Sequence, residues 1–478
     1  MKTETRRLLV ALIFSVCLTS FAEADLAKKI DGIIGKSSHA KVRFSIHILK
    51  ADTGETVYAH DANNAMVPAS NMKVIITAAA LKYLGPDYKY KTKVGLCGDS
   101  LAVIGSGDPL LGDENTDTKY GRKAGWIFED IAAVLKKNGI ANIGDIIVDA
   151  GIFDNQRVHP NWPKEQLNFW YACEVSGLNF NDNCVKITAK TVDGKAVIEI
   201  EPQTGFLDIT NKVVPVQGGK STVGSYRQPE PNKIVVYGKC REKAGPFDVA
   251  IEQPAMFFAT LLSENLGRAG IKVNGRPVER PIDPNCNFKM LAEYSTPLTD
   301  CLGRANKNSL GLAAEGMLKT IAANARADKK NGSWAEGRQV ISQYLLSLGI
   351  DKGEFNIDDG SGLSRENRLS ANVLTAVLLD VYRGKNWQLY KDCLAEGGVE
   401  GTIGRYFKEE KYKGKIFGKT GYIEKVKSFS GVCNTKKGDY IFSILANNAN
   451  DHSREAINDI AEAIIDEAEK QEQARNSG

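Results

Sequence analysis

A serine and a lysine stand three residues apart at the start of a strongly apolar segment. Ser70 and Lys73 are followed at 74–81 by Val-Ile-Ile-Thr-Ala-Ala-Ala-Leu, which predicts a buried helix with the serine at its N-terminus. Residues i and i+3 share one face of a helix, so the lysine amine can reach the serine hydroxyl. A desolvated lysine near other cations has a depressed pKa and accepts a proton, which makes Ser70 a candidate nucleophile and Lys73 its base.

This spacing is not specific by itself. A serine that only caps a helix is the alternative interpretation of Ser70. Ser38 and Lys41 have the same spacing, but they lead into a strand-like segment rather than a buried helix. A second motif is therefore needed before chemistry is assigned.

Lys419, Thr420 and Gly421 supply the second motif, because they open a strand-like segment late in the chain. A lysine and a hydroxyl on a strand edge hold a substrate carboxylate through charge-assisted hydrogen bonds. The backbone N–H groups of Ser70 and Tyr422 are candidates for an oxyanion hole, whatever the side chain at 422. A Ser-x-x-Lys on a buried helix followed by a Lys-Thr-Gly strand is the set described for penicillin-binding enzymes.

Further stretches, in family order from about residue 25 to 470, make the chain resemble the D-alanyl-D-alanine carboxypeptidase/endopeptidase family (peptidase family S13, the class C low-molecular-mass penicillin-binding proteins). No single stretch identifies the family, but the set of stretches does. The stretches are residues 105–110, 144–149, 153–154, 178–181, 359–365 and 401–403. The resemblance implies an α/β (α+β) penicilloyl-serine transferase fold. In that fold an antiparallel sheet is flanked by helices, and mostly β domains are inserted.

The resemblance also implies a reaction. Ser70 attacks the carbonyl between two D-alanines, or the D-alanyl cross-link amide, with Lys73 as general base. The acyl-enzyme is then hydrolysed by water, β-lactams acylate the same serine, and no cofactor takes part. Peptidoglycan peptides are the implied partners, and the implied substrate-binding residues are Lys419, Thr420, Gly421 and Tyr422.

One family motif is incomplete. The family has Ser-x-Asn before a helix, whereas here Ser309 aligns with the serine and Gly311 replaces the asparagine. Ser309 remains a candidate to relay a proton to the leaving amine. Either Asn306 or Asn308 substitutes through a shifted loop, or the enzyme is weakened or inactive. Lys425 is a second departure, since it stands where the family often has glycine.

Short periodic segments predict the elements that position these residues. Apolar residues at helical spacing predict a first helix at 25–35, and alternation at 42–48 predicts a half-buried strand. Further predicted helices span 126–137, 312–324 and 337–348, with a last helix around 457–465. Late strands are predicted at 429–435 and 440–446.

The length of 478 residues indicates two or three domains. We expect a catalytic domain made of residues 25–93 and 291–478, split by two mostly β domains within 94–290. Residues 1–24 are typical of a signal peptide, with a basic start, a short apolar stretch and Ala-Glu-Ala before the cleavage site. Export to the periplasm follows, and an uncleaved N-terminal membrane anchor is the alternative.

Composition excludes several other functions. The net charge is +4 without a long basic run, so nucleic-acid binding is not expected. The five histidines are scattered and no Cys-x-x-Cys pair occurs, so a metal site is not expected. The absence of a cofactor is what the family resemblance implies. The cysteines after the signal segment fit either disulfides or buried thiols.

Two rival functions remain open. One is a β-lactamase or esterase on the same fold, and the other is a non-catalytic peptidoglycan-binding scaffold. Peripheral membrane contact and the oligomeric state are also left open by the sequence.

Overall fold

The computed structural model describes residues 24–476, with side chains described to residue 470, so the predicted signal segment lies outside it except for Ala24. The helices, α1 to α11 in chain order, span 24–34, Met72–Leu84, Glu114–Lys119, Trp126–Lys137, Pro254–Arg268, Leu298–Lys307, Gly311–Ala325, Trp334–Ser347, Ala371–Arg383, Trp387–Asp392 and Ser453–Asn476. The strands, β1 to β21, span Arg43–Lys50, Thr56–His60, Lys89–Cys97, Ser100–Ile104, Asn142–Ile143, Ile146–Asp149, Cys184–Val192, Lys195–Glu201, Asp208–Pro215, Gly224–Arg227, Lys233–Cys240, Lys243–Ala250, Lys272–Val273, Pro277–Glu279, Lys289–Pro297, Phe355–Asn356, Arg368–Leu369, Ala395–Glu396, Ile416–Ile423, Val426–Cys433 and Tyr440–Asn447.

The chain divides into two compact units. The first comprises the described parts of Met1–Lys82, Leu302–Ser309 and Arg338–Gly478, and the second comprises Tyr83–Cys301 and Leu310–Gly337. The division of the sequence into a split catalytic domain and two inserted domains stays a prediction. The predicted helices at 25–35, 126–137, 312–324 and 337–348 and the late strands are confirmed, with ends shifted by up to three residues. The last helix is also confirmed, and it extends beyond the isoleucine face that predicted it, over Ser453–Asn476.

The first unit is built on a six-stranded sheet in the order β18-β19-β20-β21-β1-β2, and each neighbouring pair is antiparallel. Helices α1 and α11 cover one face, where Phe44, Ile46 and Ile48 of β1 join the core. The prediction that β1 is half-buried is wrong. Helix α9 covers the other face, where Ser45 accepts a hydrogen bond from the Ala371 N–H and His47 contacts an α9 threonine.

The second unit is richer in strands. Its largest sheet has the order β14-β6-β4-β3-β15, parallel on the β14 side and antiparallel on the β15 side. Two three-stranded sheets, β10-β11-β9 and β12-β7-β8, belong to the same unit. Phe128 of α4 and the α5 pair Phe257 and Phe258 lie fully buried in its core.

Both states that the sequence left open for the cysteines, disulfide-bonded and buried as thiols, occur in the structure. Cys97 at the end of β3 and Cys286 before β15 form a disulfide with a Cα–Cα distance of 5.5 Å. The other cysteines within residues 24–476 are buried thiols: Cys173, Cys184, Cys240, Cys301, Cys393 and Cys433. One covalent link therefore closes a long segment of the second unit, and the remaining thiols contribute as apolar packing.

The hairpin joining β19 to β20 explains one departure from the family sequence. Ile423 pairs with Val426, so Glu424 and Lys425 form a two-residue turn. Lys425 has φ = 59°, in the left-handed region that favours glycine. The lysine is therefore strained at a position where glycine is the relaxed choice.

We expect Lys425→Gly to raise the free energy of unfolding by about 0.5–1 kcal/mol, because glycine adopts the left-handed conformation without strain. Urea unfolding of the two proteins measures the difference. Glu424→Gly is the matched control, since Glu424 is not among the residues with positive φ and gains no such relief. Equal destabilisation by both glycines would contradict the explanation.

Candidate active site

Ser70 lies in a single 3-10 turn, Ala69–Asn71, immediately before α2. Every residue of α2 from Met72 to Leu81 is buried, as the uniformly apolar segment predicts. Ala69 is held at φ = 47°, and a Cβ added to Gly362 would lie 1.9 Å from the Ala69 carbonyl oxygen. Close backbone packing thus sets the turn that presents the serine, and the serine side chain stays partly exposed.

Lys73 projects from the first turn of α2 back towards the serine. Its Nζ donates a hydrogen bond to Ser70 Oγ at 3.1 Å and another to the Ser361 carbonyl at 2.7 Å. The lysine side chain is only 2% exposed, so these contacts form in a medium of low dielectric. The predicted serine–lysine pair is therefore assembled as a hydrogen-bonded unit.

The loop that carries Ser361 is fixed by a buried carboxylate. Asp359 accepts hydrogen bonds of 2.7 Å from the backbone N–H of Gly362, the backbone N–H of Ser364 and the Asn367 side chain. The aspartate is fully buried, so its role is to shape the loop. The resemblance included this stretch, but sequence reasoning did not identify the Ser361 carbonyl as a further partner of Lys73.

Lys419 lies on β19, within the strand rather than at its start as the sequence suggested. Its Nζ donates to Ser309 Oγ at 2.9 Å and to the Thr420 carbonyl at 2.5 Å. Burial of the side chain lowers the pKa of Lys419 well below its ordinary value, and the nearby positive charge of Lys73 acts in the same direction. The structure thus brings Ser309 to the predicted carboxylate-binding lysine.

Two side chains that sequence reasoning missed support β19. The Asn71 amide, next to the nucleophile, donates to the Lys419 carbonyl at 2.7 Å and accepts from Ser430 of β20. Thr420 Oγ1 donates to Thr402 Oγ1 at 2.9 Å. The sequence signal that could have identified Asn71 is a polar residue at the start of an otherwise apolar helix. Thr402 lay in a stretch matched to the family but had no assigned partner.

Gly421 lets β19 pass close to the nucleophile. A Cβ added there would lie 2.2 Å from Ser428 Oγ, 2.9 Å from the Pro68 carbonyl oxygen and 3.0 Å from the Ser70 nitrogen. The Ser70 amide therefore lies against the strand that also carries Tyr422. The Tyr422 side chain is 68% exposed, so only the backbone of this residue is placed as an oxyanion-hole candidate requires.

The incomplete third motif is arranged around Ser309, which has φ = 64° and points its hydroxyl at Lys419. Gly311 is the first residue of α7 and is buried. The Asn306 amide donates a hydrogen bond to Thr77 Oγ1, one turn past Lys73, at 3.2 Å. The hypothesis that Asn306 or Asn308 substitutes for the missing asparagine stays a prediction. Asn308 is exposed.

In the part of the chain that the structure describes, no group of three or more His, Cys, Asp or Glu side chains is arranged to hold a metal ion. No helix between residues 24 and 476 is long and apolar enough to cross a bilayer.

Comparison with known proteins gives the same architecture. The chain is 26% identical over 450 residues to a D-alanyl-D-alanine carboxypeptidase of Actinomadura sp. (strain R39), covering 88% of this chain and 81% of the relative. It is 24% identical over 403 residues to D-alanyl-D-alanine carboxypeptidase DacB of Haemophilus influenzae, covering 80% of each.

The crystal structure of penicillin binding protein 4 (dacB) from Haemophilus influenzae matches with a TM-score of 0.76 at 21% identity, covering 93% of this chain and 98% of that one. The predicted penicilloyl-serine transferase fold is therefore confirmed. The D-Ala-D-Ala carboxypeptidase 3 (S13) family matches residues 26–471, almost the whole described chain, and the protein belongs to this family of serine peptidases.

Proposed function

We propose that this protein cleaves D-alanyl-D-alanine ends, or D-alanyl cross-links, of peptidoglycan peptides through an acyl-Ser70 intermediate. The observation that carries the proposal is the Lys73 Nζ held 3.1 Å from Ser70 Oγ, beside the Lys419–Ser309 pair. The family relatives are named as D-alanyl-D-alanine carboxypeptidases, which supports the substrate class.

Acylation uses the groups that the fold assembles. Ser70 Oγ attacks the scissile carbonyl while its proton passes to Lys73, and the developing oxyanion accepts hydrogen bonds from the N–H groups of Ser70 and Tyr422. Ser309 passes its proton to the leaving amine as the C–N bond breaks and regains one from the Lys73 ammonium, which leaves Lys73 neutral. Water then attacks the acyl-Ser70 ester and gives a proton to Lys73. Lys73 returns that proton to Ser70 Oγ as the ester bond breaks, which releases the shortened peptide.

Recognition of the leaving residue rests on β19. The Lys419 ammonium and the Thr420 hydroxyl bind the terminal carboxylate through charge-assisted hydrogen bonds. Without substrate the Thr420 hydroxyl donates to Thr402 Oγ1. When the carboxylate binds, the Thr420 proton turns to it and Thr402 donates to Thr420 Oγ1 instead. β-Lactams present a carboxylate near a strained amide, and they acylate the same serine on this proposal.

Glycine in place of the motif asparagine changes this site but leaves both lysine–serine contacts in place. Ser309 reaches Lys419, and Lys73 reaches Ser70, with Gly311 in place. We therefore favour retained but altered activity over the alternative of a non-catalytic scaffold. A glycine cannot bind the substrate amide through a side chain, so weaker positioning of the acyl part of the substrate is the expected cost.

Fluorescent penicillin should label the wild-type protein covalently, and Ser70→Ala should abolish the label because the attacking oxygen is removed. Gel fluorescence of the purified proteins measures the amount of covalent label. Ser38→Ala is the matched control, since Ser38 has the same spacing to a lysine but lies in a different 3-10 turn, and it should label like wild type.

Three other outcomes of the labelling experiment separate the rival functions. Rapid loss of the label with fast nitrocefin hydrolysis would favour a β-lactamase. A stable label without release of D-alanine from a D-Ala-D-Ala peptide would favour the scaffold. A folded wild-type protein that takes no label would contradict the proposed nucleophile.

We also propose that the protein is exported and acts in the periplasm, with contact to the membrane limited to its periphery. The basic and apolar pattern of residues 1–24 supports export. Mass spectrometry of protein recovered from cells should find Asp25 as the N-terminal residue, because the small-x-small site ends at Ala24. Protein retaining Met1 and tightly bound to membranes would indicate an uncleaved anchor instead.

A further inference from the structure

Arg454 connects the last helix to the strand that binds the leaving residue. It lies in the first turn of α11, and its guanidinium donates to the Gly421 carbonyl at 3.1 Å and to the Ser428 carbonyl at 3.4 Å. Gly421 and Ser428 face each other across the β19–β20 hairpin. One planar cation therefore joins both strands of the hairpin directly beside the Lys-Thr-Gly motif.

The same contacts extend to the nucleophile. The Ser428 hydroxyl donates to the Pro68 carbonyl at 2.7 Å, two residues before Ser70. A Cβ at Gly421 would touch both Ser428 and the Ser70 nitrogen, so the hairpin and the serine turn are in van der Waals contact. Movement of the hairpin backbone would therefore displace the oxyanion-hole groups as well as the carboxylate-binding strand.

The hydrogen bonds of Arg454 go to two backbone carbonyls, and no carboxylate among the described residues forms an ion pair with it. Burial lowers the pKa of the guanidinium, Tyr406 opposes that shift and the cation Arg405 adds to it. Burial also lowers the pKa of Lys427 on β20, where the Arg454 charge acts in the same direction and Asp451 in the opposite one. The Lys427 ammonium itself donates to the Asn450 carbonyl. A partly buried guanidinium has five N–H donors and is costly to leave without an anion. The local field therefore favours an arriving negative charge.

We propose that Arg454 is a positioning residue for the reaction, which holds the Gly421 and Ser428 carbonyls in place and adds its positive charge to carboxylate binding at Lys419 and Thr420. This inference rests on the proposed function. It assigns the site to substrates whose leaving group ends in a free carboxylate, in preference to amides of the same peptides. The guanidinium stays behind the strand and does not touch the reacting atoms.

The Arg454 charge also makes carboxylate binding at Lys419 depend on pH. Lys73 from α2 and Arg454 from α11 both lower the pKa of Lys419, in addition to burial. Lys419 therefore loses its proton at a lower pH than an ordinary lysine, and carboxylate binding weakens above that pH. Removing the Arg454 charge raises the pKa of Lys419, so the alkaline limb of the activity profile moves to higher pH.

Steady-state cleavage by the full mature chain tests the inference. The variants are Arg454→Gln and Arg454→Lys, and the probes are an acylated D-Ala-D-Ala peptide and its C-terminal amide. Arg383→Gln is the matched control, because it removes an exposed arginine at the end of α9. Thermal unfolding of each variant is recorded alongside.

Arg454→Gln keeps side-chain N–H donors for the Gly421 and Ser428 carbonyls and removes the charge. We therefore expect it to raise KM for the acid roughly tenfold, as loss of one nearby charge implies, with a much smaller change in kcat. KM for the amide should stay unchanged, and the alkaline limb for the acid should move to higher pH. Arg454→Lys should recover most of the acid preference, and Arg383→Gln should behave like wild type.

Equal losses on acid and amide, or an unshifted alkaline limb in Arg454→Gln, would overturn the inference and leave the proposed function intact. Cleavage of neither peptide by the wild type, together with no penicillin label, would overturn both. If Arg454→Gln does not fold, Arg454→Lys decides: a folded Lys variant without acid preference contradicts the inference, and one that keeps it supports the role of the charge.

Discussion

The contact between Lys73 Nζ and Ser70 Oγ is the interaction on which the rest of the structure depends. An amine only 2% exposed can take a proton from a hydroxyl only if both groups are held in fixed positions and the amine has few competing partners. The buried helix α2 fixes the spacing, and the Ser361 carbonyl fixes the amine from the other side. The turn at Ala69, held at φ = 47°, leaves the serine partly exposed.

A second buried lysine makes this arrangement electrostatically demanding. Lys419 is fully buried near Lys73, and burial together with the Lys73 and Arg454 charges lowers its pKa. A bound substrate carboxylate offsets the repulsion between these cations. The site is therefore electrostatically more stable with the leaving group bound than without it. Asn71 contributes by tying the Lys419 backbone to the helix that carries the nucleophile.

Sequence reasoning was effective where local pattern determines structure. The uniformly apolar segment after Lys73 predicts a buried helix, and the strand-like runs near the C-terminus form strands of the six-stranded sheet. It failed where a partner lies far along the chain. The burial of Ser45 depends on α9, over three hundred residues away, and the Arg454 contact with Gly421 depends on how α11 returns to the sheet. The partner of Asn306 was missed for the same reason, since Thr77 lies 229 residues away in the chain.

The acylation rate constant of Lys73→Met with penicillin tests the central claim most directly, because methionine keeps the volume and apolar stem of lysine but cannot accept a proton. We expect the rate constant to fall on the order of 10²–10⁴-fold, while Lys82→Met, at the exposed end of the same helix, stays near wild type. A folded Lys73→Met protein that acylates at the wild-type rate would contradict the role of this lysine.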